Sequence, residues 1–303
     1  MRITNNMLIE NMLSNLNRNL ARVSRHQNQL STGKKISLPS DDPIIASRAL
    51  KLRTDVAEIE QFKRNVNDAM SWMEITETTL KQIGDVLHRA RELTVDAANG
   101  TKTQEDMEKV KVEIMQLKTQ MTHLANTTYS GRYIFSGFKT DKPLMDEDGV
   151  FQIDISNAER IFYEIGIGDD MDINVTGSDL FHNGSNSAAA GTKSSLIETF
   201  DELISALELE DEEALSAALD RIDVDIDNVL RVRSAVGARM NRLELTANRL
   251  DDDLINFTKL MSKNEDVDIA EAIMHLMNEM NVYNASLSVG SKVIQPTLVD
   301  FLD

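Results

Sequence analysis

The sequence predicts a mainly α protein: an elongated helical bundle or coiled coil with paired N- and C-terminal helices and a small β-rich insertion. Three observations carry this expectation. Apolar residues recur at alternating spacings of three and four at both ends and through much of the middle. The two ends are oppositely charged. The stretch from Tyr129 to Gly191 breaks the pattern, holding eight of the fourteen aromatic residues and eight of the thirteen glycines.

Near the start, Leu13, Leu16, Leu20, Val23 and Leu30 fall on one stripe, interrupted at Gln27. Near the end, Ile269, Ile273, Leu276, Met280, Tyr283 and Leu287 do the same. Residues 1–40 carry six basic side chains against Glu10, and residues 265–303 carry seven acidic ones against Lys292. Opposite charge favours an antiparallel pair over like-with-like contacts, so 1–40 and 265–303 are expected to form one terminal assembly domain. These eleven seam residues are its candidate functional residues. One pair of stripes buries too little apolar surface to offset the ordering of two whole helices. The ends are therefore expected to be disordered in an isolated subunit and to become helical when neighbouring subunits cover the seams.

Gly33 can take the left-handed conformation that ends a helix, with Lys34 and Lys35 placed for the dipole. Asp42 followed by Pro43 is a restart signal, a capping carboxylate before a proline at the first helical position. The helix it opens should run to about Asn99-Gly100, with Met73, Thr76, Leu80, Ile83, Leu87 and Ala90 on its seam. Thr103 and Asp106 resemble a capping box, followed by Met107, Val110, Ile114, Leu117, Met121 and Leu124. A further helix should start near Ser195. A last stripe runs through Val229, Val236, Met240, Leu243, Ala247, Leu250, Leu254, Phe257 and Met261. Residues 41–140 and 192–264 are thus expected to form a central long-helix bundle with a hairpin.

Residues 141–191 are expected to form the β-rich outer insertion. Short runs at Arg132–Phe135, Phe151–Ile155 and Ile173–Val175 are bounded by Gly, Asp and Asn, Asp148-Gly149 is a hairpin signal, and the stretch after Asn183 reads as a flexible return.

Composition argues against several function classes. The net charge of −18 over 303 residues is opposite to what phosphate binding requires. There is no cysteine, hence no disulfide, thiolate metal site or cysteine nucleophile. The five histidines sit in no metal-ligand spacing, and Gly166-Ile-Gly168 lacks the third glycine of a dinucleotide site. Asp146 to Gly149 has calcium-loop chemistry for four residues and no bidentate glutamate at the right distance. The acidic run from Asp201 to Asp227 reads as a solvated face. The expectation is no enzyme, no cofactor, no nucleic acid and no membrane insertion, and the N-terminus shows neither a secretory signal nor an apolar span.

Two segments resemble a known family. Residues 30–50, LSTGKKISLPSDDPIIASRAL, are similar to the N-terminal signature of bacterial flagellins and hook-associated proteins, and residues 281–302, NVYNASLSVGSKVIQPTLVDFL, to the matching C-terminal segment. Ser40-Asp41-Asp42-Pro43, Ile294 to Leu298 and the aromatic entry at Tyr129 depart from the flagellin pattern toward the members that join hook to filament. The resemblance implies an extracellular building part of the flagellum, exported unfolded through the flagellar type III apparatus. Its implied partners are other copies in a ring or tube, the first hook-associated protein on the hook side, flagellin on the other, and an export chaperone on the C-terminal helix. A short flagellin is the alternative within the family. A cytoplasmic coiled-coil signalling rod is the alternative outside it, accounting for the heptads but not the β insertion.

Overall fold

The computed structural model describes residues 5–98, 103–209 and 211–293. The expected stop at Asn99-Gly100 and the signature residues 294–298 lie outside them. In chain order the elements are α1 (Asn5–Thr32), α2 (Pro43–Ala98), α3 (Gln104–Ala125), β1 (Thr128–Tyr129), β2 (Arg132–Tyr133), β3 (Ile155–Ser156), β4 (Phe162–Gly166), β5 (Asp169–Asp172), α4 (Gly177–Phe181), β6 (Ser187–Ala188), α5 (Ser195–Leu209), α6 (Glu212–Glu265) and α7 (Ile269–Val293). The chain divides into two compact units, residues 1–58 with 253–303 and residues 59–252.

The helix boundaries have local causes. Asp42 Oδ1 accepts the backbone N–H groups of Ile44 and Ile45 at 2.9 and 3.1 Å, capping α2. Gly33 ends α1 at φ +70°. At α3 the expected capping box takes another form: the Thr103 hydroxyl donates to Asp106 Oδ2 at 2.8 Å and caps no backbone N–H. Two caps were not read from the sequence. Asp211 accepts from Glu213 and Ala214 at the start of α6, and Asp268 from Ala270 and Glu271 at the start of α7.

In the second unit the expected seams form the core. All six stripe residues of α2, Met73 to Ala90, are completely buried, and Met107, Val110, Ile114 and Met121 of α3, Phe200 and Leu203 of α5, and Val229, Val236 and Leu243 of α6 are buried with them. β1 and β2 form a two-residue hairpin, with Ser130 and Gly131 both at positive φ. β4 and β5 form another, turning at Gly168, so the Gly166-Ile-Gly168 motif is a hairpin turn. The Asn65 side chain donates to the Glu164 carbonyl at 2.8 Å and ties β4 to α2.

Three local expectations differ from the structure. Of the run Phe151–Ile155 only Ile155 enters a strand, β3, while Phe151 makes an isolated bridge to Met145. Ile173–Val175 forms no strand but continues beyond β5: Ile173 N still donates to the Ile161 carbonyl at 3.0 Å, and the Asn174 side chain then bonds Ile161 N and Glu159 O. The stretch after Asn183 is no mere flexible return: it carries β6, which pairs antiparallel with β3 and buries Ala188.

The acidic run is not wholly solvated either. Asp201 pairs with Lys118 and Lys193, Glu202 with Arg221, and Asp223 with Arg91. Asp225 is buried between α6 and α5, where its Oδ2 accepts the Thr199 hydroxyl at 3.0 Å. Burial pushes its carboxyl up to about 6, against the opposing pulls of Thr199 and Arg221. A raised native pKa means the folded state binds more protons than the unfolded one between about pH 4 and 6, so Asp225 destabilises the fold progressively as pH rises through that window. Asp225→Asn is expected to raise stability at pH 8 by about 2 kcal/mol and to flatten the stability profile between pH 4 and 6. Urea titrations at several pH values measure both.

Candidate assembly interface

The first unit is built on two helix ends and the two loops beside them. Gly33 O accepts from Val267 N at 2.9 Å and Glu265 O from Lys35 N at 2.7 Å, so residues 33–35 and 265–267 join as a short antiparallel bridge. The expected dipole partners of Lys34 and Lys35 lie elsewhere than on α1. Lys34 pairs with Asp266 at 2.7 Å and Glu265 at 3.5 Å, and Lys35 Nζ donates to the Lys263 carbonyl at 2.6 Å, in the last turn of α6. The Lys34 ammonium, helped by the Ser262 side chain, holds the Asp266 carboxyl below the usual carboxylate range. Buried Glu265 also meets Arg53.

From this bridge α1 and α7 run antiparallel. The His26 and His275 rings stack with centroids 5.4 Å apart, Arg22 Nε donates to Glu279 Oε2 at 2.9 Å, and Asn19 Nδ2 donates to Ser286 Oγ at 2.8 Å. Further along, Gly290 admits Met12 where any Cβ would collide with it. The positive α1 thus meets the negative α7 in a named ion pair.

The eleven seam residues do not form one seam. Leu16, Val23, Leu30, Leu276 and Tyr283 are half-buried in the pair. Leu13, Leu20, Ile269, Ile273, Met280 and Leu287 are exposed, Leu20 at 49% and Ile269 at 59%. The inner face of α1 is instead completed by Ile9, Met12, Asn19 and His26, and that of α7 by Ala272, Glu279, Ser286 and Gly290, giving spacings of three and four on both helices. On α1, residues three positions after a shared seam residue turn inward, as Asn19 follows Leu16, while those four after it turn outward, as Leu20 does. The reason is physical. Asn19, His26, Glu279 and Ser286 find partners across the pair, and Ala272 and Gly290 permit close approach, so the polar and small side chains serve the internal contact. The larger aliphatic ones are left on the outside. Met274 and Met277 extend that outer face on α7, and a groove of 510 Å³ lined by Leu8, Met12, Val282 and Val289 lies between α1 and α7.

Among the described residues no three His, Asp or Glu side chains are gathered to hold a metal, and no helix is long and apolar enough to cross a membrane. What the arrangement offers is surface: a helical pair with an uncovered apolar stripe.

Known proteins resemble this chain along most of its length. Residues 3–140 match the bacterial flagellin N-terminal helical region and residues 219–302 the bacterial flagellin C-terminal helical region. Over 303 aligned residues, 94% of this chain and 95% of the relative, the sequence is 31% identical to flagellar hook-associated protein 3 of Escherichia coli. It is 27% identical to a flagellin of Halalkalibacterium halodurans, over 93% of this chain and 91% of that one. The crystal structure of Bacillus cereus FlgL superposes with a TM-score of 0.59 at 26% identity, covering 70% of this chain and 99% of that one. With both terminal helices matched and the pairing between them in place, the chain belongs to the bacterial flagellin and hook-associated protein family.

Proposed function

We infer that this protein is a structural subunit of the bacterial flagellum, an adaptor zone that joins the hook to the flagellin filament. The observation that carries the reading is 31% identity to a hook-associated protein 3 along 94% of this chain, in a chain whose paired terminal helices leave an apolar stripe uncovered. In this role the segments 1–40 and 265–303 are the assembly domain, 41–140 with 192–264 the long-helix bundle, and 141–191 the outer surface. Leu13, Leu20, Ile269, Ile273, Met280 and Leu287 bury against neighbouring copies, while Leu16, Val23, Leu30, Leu276 and Tyr283 hold each copy's own pair. The partners are further copies in a ring or tube, the first hook-associated protein on one side and flagellin on the other. The subunit works outside the cell after passage through the flagellar type III channel, and an export chaperone covers the C-terminal helix beforehand. No catalysis is assigned to it.

A short flagellin is the second reading, favoured by the 27% identity to a flagellin over most of both chains. Deleting the gene separates the two. A junction subunit is expected to leave intact hooks with flagellin shed into the medium; complete junctions lacking only the filament would select the flagellin reading. Chaperone capture that persists after removal of residues 265–303 would refute the C-terminal chaperone site.

A further inference from the structure

Away from the terminal helices, where the β insertion meets α6, three arginines converge on a cleft of 120 Å³ lined by Asn157, Arg160, Thr176, Asp179, Arg231 and Arg239. Among the described residues two carboxylates answer them. Arg231 Nη2 reaches Asp179 Oδ1 at 2.5 Å. Arg160 Nη1 and Arg239 Nη2 share a single oxygen, Asp172 Oδ2, at 2.9 and 2.7 Å. Two guanidiniums on one carboxylate leave one positive charge uncompensated, in a protein whose net charge is −18.

The donors are also in excess. A guanidinium has five N–H groups in a planar fork suited to a carboxylate or phosphate. Arg160 Nε is taken by the Asn157 carbonyl at 3.3 Å and Arg239 Nη1 by the Asn174 carbonyl at 3.4 Å. Arg231 spends Nε and Nη2 on Asn228 and Asp179. Among the described residues, Arg160 Nη2, Arg231 Nη1 and Asn157 Nδ2 donate no hydrogen bond, while the Asn157 Oδ1 accepts from Thr176 and Ser178. The nearby Glu159 carboxylate is occupied by Phe138 N at 3.1 Å.

We propose that this cleft binds a small oxyanion, a carboxylate or phosphate group, through Arg160, Arg231 and Arg239. The three side chains come from two directions, Arg160 from the insertion and the other two from α6, so the bound anion would also pin the insertion to the helix. Two sources can supply the group, a free anion or an acidic side chain of a neighbouring copy. This proposal stands independently of the junction role.

The test follows the arginine Nε resonances of the full chain while inorganic phosphate or acetate is added at constant ionic strength. The Arg160, Arg231 and Arg239 signals are expected to shift together and saturably. Arg160→Gln leaves Asp172 paired with Arg239 and Asp179 with Arg231, so it should fold, yet it should weaken phosphate binding about tenfold, the equivalent of one charge-assisted hydrogen bond. Arg160→Lys should fall between. Saturable shifts on raising the protein concentration without added anion would identify a neighbour's carboxylate as the source. Shifts that stay linear in phosphate, or are equal in wild type and Arg160→Gln, would reduce the cluster to ion pairs that hold the fold and overturn the proposal.

Discussion

Leu20→Asp is expected to leave the circular dichroism spectrum of the isolated chain unchanged while abolishing its incorporation into flagella. Leu20 lies on the outward stripe of α1 and is 49% exposed, with no part in the inner face of the helical pair. Half of a leucine's burial is worth about 1 kcal/mol, but forcing a carboxylate into an apolar contact adds several kcal/mol more. A loss of about 4 kcal/mol at each contact is roughly a thousandfold in affinity, repeated at every subunit. Met280→Asp on α7 should behave alike. Leu16→Asp and Leu276→Asp are expected to abolish assembly too, with the central bundle intact, although these residues sit inside the pair and not on its outer face. Electron microscopy with a secretion assay reads incorporation. Normal filaments on Leu20→Asp cells would show that the outward stripe is not the assembly surface.

The largest stability effect is expected at Gly149. It turns the hairpin between Met145 and Phe151 at φ +79°, and a Cβ there would penetrate Ile197, a fully buried residue of α5. The left-handed backbone costs a non-glycine residue about 1–2 kcal/mol, and overpacking a rigid core adds about 1–3 kcal/mol. Gly149→Ala should therefore destabilise the second unit by about 3 kcal/mol. Trp72, buried in that unit and edge-on to Tyr129 at 5.9 Å, reports its unfolding in urea by fluorescence. An unchanged midpoint would mean that Ile197 yields freely.

The long helices were legible from their periodic stripes, and α2 from its punctuated start as well. Met73 to Ala90 follow from spacing alone, and Asp42-Pro43 marks the start of α2. The β3–β6 pair was not legible, because Ile155 and Ala188 meet across more than thirty residues with no shared turn. Asp225 was misjudged with its neighbours, since counting charges along a chain does not reveal the one that faces Thr199. The terminal pair was legible in its partners and direction but not in its rotation. Leu20 and Asn19 both fit beside Leu16 on a heptad, and a one-dimensional pattern does not distinguish the contact a helix makes with its own chain from the one it keeps for another.

In the proposed junction role, the methionines on the outer face of α7 would let one surface serve two unlike neighbours. Met274, Met277 and Met280 are unbranched and turn about three side-chain bonds, with a polarisable sulfur that conforms to irregular hollows. An aliphatic surface of fixed shape would suit a single mate, whereas thioethers remould at small cost. The same softness has a chemical liability: these sulfurs face solvent, and oxidation to sulfoxide would make them polar while the molecule is still unassembled.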